Sequence, residues 1–582
     1  MCGIAGIISL KNSISDNDCR LLLNCLKRVK HRGPDEEGIY YNNDLCMGSA
    51  RLSIIGESQG RQPLQENNEA LIFNGEIYNF QQVSNNNKYS SDTKVLFDLL
   101  TKRGIGILNE LNGMFAFCFM DAKNIYLVRD RFGEKPLYYT FNNNKLFFSS
   151  EIKSFLEIIK LRLSLPVYYP LLETAIGKDT IFKDIFQLEP GHFLKVSRGN
   201  KGVENIKYYQ PNIVRSESTF NEAKLQLRYL LDDAIKSRTP KHIDFAAYIS
   251  GGIDSSIIAL LSRPQMLLSF IAEGNKTKSE EKYSDILAEK LQIKYQKVRS
   301  NSSDFPKYLY DIVYALDGPT TSLAALPQFL LSQRAHKEGY RITLSGIGAD
   351  EFFNGYVRHA FALFDTNFSE FDSYEELYKK IGETINLTSR YSKLLNRSNE
   401  NSPERIEKLI ESFFKNNHPT SAIALSDSIC TLPSLLTMDD HINMAFAIES
   451  RNPFLDHRIV EFALSLKDLY KIRFKKKEIS LKYILRQAYS DLLPETIRNR
   501  KDKIGFPSLV NEWLSHELAF LVEKSQQVLQ EAFPCDQYFL SENKNLFYDR
   551  RKYQWVQLAA TYLIYCERYN KETFNKFYRK EI

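Results

Sequence analysis

A continuous apolar run at residues 245–249 reads as a buried strand. Ser250-Gly251-Gly252 breaks it, and a second apolar run, 257–261, has the spacing of a helix. Further runs at 267–272 and 295–298 predict strands, and 283–291 between them a helix. Another strand at 342–344 ends in a second glycine-rich turn. Strands alternating with helices predict a parallel, doubly wound sheet with nucleotide at the carboxyl ends of its strands. Ahead of this region, 220–237 predicts a helix and the polar stretch 212–219 a linker. Nearer the N-terminus, 73–79 reads as a turn between apolar strands, 111–117 opens another strand, and 129–138 reads as a charged hairpin. Residues 361–428 are polar and helical in pattern, and 512–582 helical with scattered Tyr and Lys and no legible chemistry.

The strand, glycine-rich turn and helix around Ser250 aim unpaired backbone N–H groups and the positive end of a helix dipole at one spot. Ser250, Ser255 and Ser256 add hydroxyl donors to Gly251 and Gly252, which suits an anion. Asp254 is a carboxylate among such groups, so a metal between it and phosphates is the economical reading. The loop has no G-K-[ST], so it is not a Walker loop. The second turn, Ser345-Gly346-Ile347-Gly348-Ala349-Asp350-Glu351, repeats the pattern. Two carboxylates, Asp254 and Asp350, with phosphate oxygens are a usual Mg²⁺ set. At the other end of the chain Cys2 directly follows Met1. With Met1 removed, one residue carries a thiol and an α-amine of pKa about 8, able to act as the thiol's own base.

Composition narrows the class. At 582 residues the chain is too long for one core, and two to four domains are expected. A net charge of +6, from 77 basic and 71 acidic residues, is weak for this size and leaves no nucleic-acid footprint. The eight cysteines show no C-x-x-C pair, so a reducing compartment without structural zinc is expected. No signal peptide and no membrane span are legible, which points to the cytoplasm.

The N-terminal motifs, taken in order, are Cys2-Gly3, His31-Arg32-Gly33-Pro34-Asp35, Arg51-Leu52-Ser53-Ile54, Phe73-Asn74-Gly75-Glu76, Arg129-Asp130-Arg131-Phe132-Gly133 and Ser149-Ser150-Glu151. Together they resemble the class II glutamine amidotransferase domain. That resemblance implies an αββα N-terminal-nucleophile sandwich over 1–211. It implies Cys2 as nucleophile, Asn74 and the Gly75 N–H as oxyanion hole, and Arg51 on the glutamine carboxylate. Glu76 and Asp92 would hold the glutamine α-ammonium. The S-G-G-x-D-S-S loop resembles ATP pyrophosphatases. With Asp439-Asp440-His441, Glu449-Ser450-Arg451-Asn452-Pro453-Phe454-Leu455-Asp456, Lys482-Tyr483 and Arg500-Lys501-Asp502-Lys503, it resembles the synthetase domain of glutamine-dependent asparagine synthetases, here 220–582. By that resemblance ATP lies on Ser250, Gly251, Gly252, Asp254, Ser255, Ser256, Ser345 and Gly346, Lys482 reaches its phosphates, and Mg²⁺ sits on Asp254 and Asp350.

The implied reaction is ATP- and glutamine-dependent amidation of a carboxylate, with aspartate the first choice of acceptor and a homodimer compatible with it. Two positions depart from the family pattern: Ile347 stands where a Glu is usual, and Gly318 where an acid is often found. Relatives lacking that Glu are thought to amidate other carboxylates, including sugar acids. A tRNA-modifying pyrophosphatase would want a basic RNA-binding region and leaves Cys2 unexplained. A β-lactam-type cyclase would lack a working glutaminase, and a dead scaffold would have lost Cys2, Asp254 or Asp350.

Overall fold

The structure, a computed structural model, describes residues 1–54, 59–84, 89–166, 174–199, 202–273, 278–320, 322–366, 412–413, 415–475, 478–500, 509–533 and 548–579. Most of 361–428 and residues 501–507 of the Arg500 motif therefore lie outside the described residues.

The chain begins with two antiparallel sheets stacked face to face. The first runs Ile185–Gln187, Tyr138–Asn142, Lys145–Ser149, Cys2–Ser9, Leu45–Arg51, Glu36–Tyr41 in spatial order. The second runs Val203–Lys207, His192–Ser197, Asn124–Arg129, Gly113–Met120, Glu69–Ile77, Leu64–Glu66. The strand Cys2–Ser9 is buried along its whole length, and its two faces serve different cores. Cys2, Ile4 and Ile8 pack against Ala70, Ile72 and Ala116 of the second sheet. Ala5 and Ile7 alternate to the other side and meet Leu22 and Leu26 of the helix Asp16–Val29. The helix Asp92–Arg103 covers the outer face of the second sheet, packing Leu96 and Leu100 with Phe73 and Phe117. This is the αββα sandwich.

Two local expectations fail here. Asn74-Gly75 is not a turn but the interior of the strand Glu69–Ile77, paired with Ala116 and Phe115. A Cβ on Gly75 would stand 2.1 Å from the Met114 carbonyl oxygen, so glycine serves close strand approach rather than chain reversal. Nor is 129–138 a hairpin, because Asn124–Arg129 and Tyr138–Asn142 belong to different sheets. The crossover is wound around buried Asp130, whose carboxylate accepts from the backbone N–H of Phe132, Gly133, Glu134 and Lys135.

The second part is a five-stranded parallel sheet in the order Lys294–Ser300, Met266–Ala272, Ala246–Tyr248, Ile342–Leu344, Glu449–Arg451. Helices cover both faces, and strand residues divide between two cores: Ala247 and Leu267 into one, Ala246 and Leu268 into the other. The helix Phe220–Arg238 enters it through a capping box from Thr219. Among the described residues no single helix is long and apolar enough to cross a membrane. The pair Pro419–Cys430 and Leu432–Met444, bent by 45°, passes by length and composition together. Its Asp427 and Asp440 are buried and ion-paired within the protein.

Candidate active sites

Antiparallel register puts Arg51 directly opposite Cys2. The Cys2 N–H donates to Asn74 Oδ1 at 3.0 Å. That bond fixes the amide's orientation and leaves Asn74 Nδ2 buried with no hydrogen-bond partner among the described residues. A buried orphan donor is costly at rest and suits an oxygen that becomes charged during reaction. Burial pushes the Cys2 thiol up, so it rests protonated and needs a base. Gln62, which the sequence did not flag, accepts from the Phe73 N–H at 2.6 Å and places its Nε2 3.5 Å from Cys2 Sγ. The Met1 amine donates to the Leu52 carbonyl and lies 3.6 Å from Glu449 Oε2.

Around this cysteine, Arg51 pairs with Glu36 at 2.7 Å, so a substrate carboxylate would share that guanidinium. Asp92 accepts from the N–H groups of Ile77 and Thr93. Glu76 and Asp92 are both buried, and burial pushes both carboxyls up, with the charge of Asp92 adding to the rise at Glu76. Two such carboxyls side by side favour a cationic ligand. Arg451 from the parallel sheet stands 3.7 Å from Glu76.

The second cluster lies at the carboxyl ends of the parallel strands. The helix after Ala246–Tyr248 starts at Ile253, so Asp254, Ser255 and Ser256 occupy its first turn. Lys482, in left-handed backbone conformation, extends its ammonium between Asp254 at 2.5 Å and Asp350 at 2.6 Å. Gly346 abuts Asp254, where a Cβ would stand 3.0 Å from the Asp254 Cβ. Ser345 is held by its N–H donating to the Arg451 carbonyl. Ser250 N–H faces the Ser255 hydroxyl at 3.4 Å. Ser256 spends its hydroxyl on the Gly252 carbonyl at 2.7 Å and is wholly buried. Arg500, quoted in a motif but given no role, donates to the carbonyls of Ser250 and Gly251 and pairs with Glu280, bracing the loop from behind. Glu351 does not join the cluster: its carboxylate accepts from Gly348 N–H at 3.0 Å and from Tyr356 O–H. Burial and then Asp350 push it to about 7. Ile347 packs at the edge of the apolar core.

Two carboxylates converging on one cation show that this corner already accommodates a positive charge. Mg²⁺ fits there with phosphate oxygens completing its shell. Gly355 makes room for the arrangement, since its Cβ would stand 2.0 Å from both Asp350 Oδ1 and Lys482 Cε. Both are side-chain ends able to move, so Gly355→Ala should displace the lysine rather than unfold the protein. On the ATP-dependent reaction that the resemblance implies, pyrophosphate release is expected to fall about 10²-fold. Glutamine hydrolysis and melting temperature should stay near wild type; parallel assays and a thermal melt read all three.

The two clusters share one element. In the three-residue strand Glu449–Arg451, Glu449 faces the Met1 amine, Arg451 Nη2 faces Glu76, and the Arg451 carbonyl holds Ser345. Buried contacts fasten the halves around it: Arg32 pairs with Asp440 at 2.7 Å, Lys135 pairs with Asp440 at 3.0 Å, and Asn112 Nδ2 donates to Asp456 at 2.9 Å. Arg32 also donates to the Cys2 carbonyl and pairs with Glu151. None of these cross-chain pairings is local in sequence.

The chain matches the family Asparagine synthase over residues 226–555 and the family Glutamine amidotransferase domain over residues 1–209. It belongs to the asparagine synthase family and is an enzyme of that family. It is 27% identical over 583 residues to asparagine synthetase [glutamine-hydrolyzing] 1 of Bacillus subtilis, covering 91% of this chain and 90% of that one. It is 27% identical over 567 residues to a putative asparagine synthetase [glutamine-hydrolyzing] 1 of Methanocaldococcus jannaschii, covering 90% and 93%. A fungal relative with a different name, the amidase chry2 of Gibberella zeae, is 25% identical over 609 residues, covering 86% and 88%.

Proposed function

We propose that the chain hydrolyses glutamine at Cys2 and passes the ammonia inward to amidate a carboxylate activated by ATP. The glutaminase part would occupy 1–211 and the synthetase part 220–582. The observation that carries this reading is the shared strand Glu449–Arg451, which touches both clusters. Three residues of strand are about 10 Å, a short internal path for a small nucleophile.

Each residue then has a task. With Met1 gone, the Cys2 α-amine takes the thiol proton, and the thiolate attacks the glutamine side-chain amide. Asn74 Nδ2 and the Gly75 N–H stabilise the oxyanion, and Arg51 with Glu76 and Asp92 holds the zwitterionic end. In the second part the Ser250 loop and Ser345-Gly346 bind ATP as substrate, with Lys482 as a mobile charge on its phosphates. Mg²⁺ held by Asp254 and Asp350 would neutralise phosphate charge. The acceptor carboxylate attacks the α-phosphorus, pyrophosphate leaves, and ammonia displaces AMP from the acyl-adenylate. Pyrophosphate release screened over candidate carboxylates, with glutamine or ammonium as nitrogen source, tests the whole scheme; no release with any acceptor would end it.

Aspartate is the first acceptor to try, since the names of two relatives above point to it. A different acceptor, such as a sugar acid, is favoured by Ile347, an apolar residue packed against the core beside the turn. Ile347→Glu separates the two. With aspartate as acceptor the change should be tolerated or raise asparagine formation. With another acceptor it buries an unpaired carboxylate and should depress the native reaction about 10-fold or more. Amino-acid analysis of wild type and variant with ammonium and aspartate decides it.

A further inference from the structure

The ladder between Leu64–Glu66 and Glu69–Ile77 ends at the pair Leu64 and Leu71. Further along the longer strand, the Phe73 N–H is met by a side chain, Gln62 Oε1, at 2.6 Å. That bond decides which way the amide points: the oxygen must face the N–H, so the Nε2 donors face away from it. What they face is Cys2 Sγ, at 3.5 Å. The first sheet makes room for this arrangement. A Cβ on Gly38 would stand 2.2 Å from the Gln62 carbonyl oxygen, so glycine lets the strand Glu36–Tyr41 close on the backbone that carries the amide. Gln62 is thus wedged between the sheets, tied to the residue before Asn74 and aimed at Cys2.

A thiol gains little from such a donor, because protonated sulfur is a weak acceptor. A thiolate gains more, since the bond is then charge-assisted. The contact therefore favours the ionised sulfur over the resting one. Cys2 is buried, and a thiolate there without donors would be strongly destabilised. The charged groups acting on it are the N-terminal amine and Arg51, which favour ionisation, and Asp92, which opposes it. The Leu52 N–H also bonds the thiol. It donates to the Met1 carbonyl at 2.7 Å as well, and loss of Met1 would free it for the sulfur. Both donors are separate from Asn74 Nδ2 and the Gly75 N–H, the proposed oxyanion hole.

We propose that Gln62 is a catalytic residue of the glutaminase, whose amide holds the Cys2 thiolate formed when the Sγ proton passes to the α-amine. The S–H bond breaks and an N–H bond forms, leaving thiolate and ammonium on one residue with no change in total charge. The role in glutamine hydrolysis rests on the reading of Cys2 as nucleophile, whereas the donor contact can be tested without glutamine. Full-length protein lacking Met1, confirmed by mass, is alkylated with iodoacetamide across a pH series, and the Cys2 peptide is followed by mass spectrometry. Gln62→Glu keeps an oxygen for the Phe73 N–H and puts a carboxylate where the donor was. Its alkylation midpoint should rise by at least about one pH unit, so that Cys2 reacts about 10-fold more slowly at neutral pH. Gln62→Met removes the donor without adding charge, and its midpoint should rise by about half a unit.

Were Gln62 only a brace for Phe73, the order would reverse: Gln62→Glu would titrate as wild type and Gln62→Met would not. A wild-type midpoint in Gln62→Glu therefore overturns the proposal. Should that variant not fold, a wild-type midpoint in Gln62→Met overturns it. With glutamine as substrate, Gln62→Glu should lower kcat for glutamate release about 10-fold and leave KM nearly unchanged, because the amide touches the sulfur. A raised KM with kcat unchanged would mean a loosened strand at Asn74 and would also overturn it. Failure of the glutaminase reading looks different: wild type releases no glutamate, while the alkylation midpoints still separate.

Discussion

Cys2→Ala should abolish glutamine-dependent pyrophosphate release, by at least ~10³-fold, while ammonium-dependent release continues at the wild-type rate. The thiol is small, buried and 3.5 Å from Gln62, so its loss creates little strain. On the proposed reading, what disappears is the nucleophile. The proposed oxyanion donor, the buried Asn74 Nδ2, would stay in place with nothing to attack the glutamine amide. The synthetase cluster is reached from the other end of the strand Glu449–Arg451 and should not register the change. Protein that retains Met1 should be equally dead as a glutaminase, because the nitrogen beside the thiol is then an amide, hydrogen-bonded to Asn74 and unable to take a proton. Mass spectrometry for Met1 and a glutamate-release assay on the same samples connect the two. Glutaminase activity surviving in Cys2→Ala would remove the nucleophile assignment.

Sequence carried the parts of this design that are local. The Ser250 loop is legible because strand, glycine turn and helix follow within about fifteen residues and each has its own composition signal. The parallel sheet follows from alternation alone. Asn74-Gly75 misled for the opposite reason: Asn-Gly is a turn signal by composition, and only the partner strand at Met114 and Phe115 explains why glycine is required. The crossover at 129–138 misled similarly, since its charges suggest a solvated turn and are instead buried around Asp130. Gln62 and Arg500 were not legible as part of a site, because each acts on residues far away in the chain, Cys2 and Ser250, and Gly355 was not because its closeness to Lys482 appears only in the fold. Glu76 meets Arg451 across the join, and Tyr565, in a C-terminal stretch with no readable chemistry, reaches the Asp317 carboxylate at 2.9 Å. Asp317 in turn accepts from the Ile152 N–H at 2.5 Å, so the C-terminal helices also brace the join.

Asp254→Asn and Asp350→Asn should each stop pyrophosphate release with either nitrogen source, by ~10²-fold or more, and leave glutamine hydrolysis intact. Both carboxylates lie within 2.6 Å of the Lys482 ammonium, so they share one cation position. On the proposed reading, ATP binding would draw that lysine from its carboxylate partners to phosphate, and Asp254 and Asp350 would then hold Mg²⁺, which would balance their charges. Asparagine keeps the shape and removes the charge, so a packing defect is not expected: Gly346 still abuts residue 254, and Gly355 still leaves room at residue 350. The variants should differ from each other in one respect. Asp254 is buried in the first turn of a helix, where its charge also complements the dipole, whereas the Asp350 side chain is 22% exposed. Asp254→Asn should therefore also cost some stability, about 0.5–1 kcal/mol, and Asp350→Asn little. Raising Mg²⁺ should partly restore Asp350→Asn, where one carboxylate remains and solvent has access, and restore Asp254→Asn less. Mg²⁺ titrations of pyrophosphate release, with a thermal melt of each variant, measure both. An ATP-dependent rate unchanged in the two variants would show that neither carboxylate handles the phosphates.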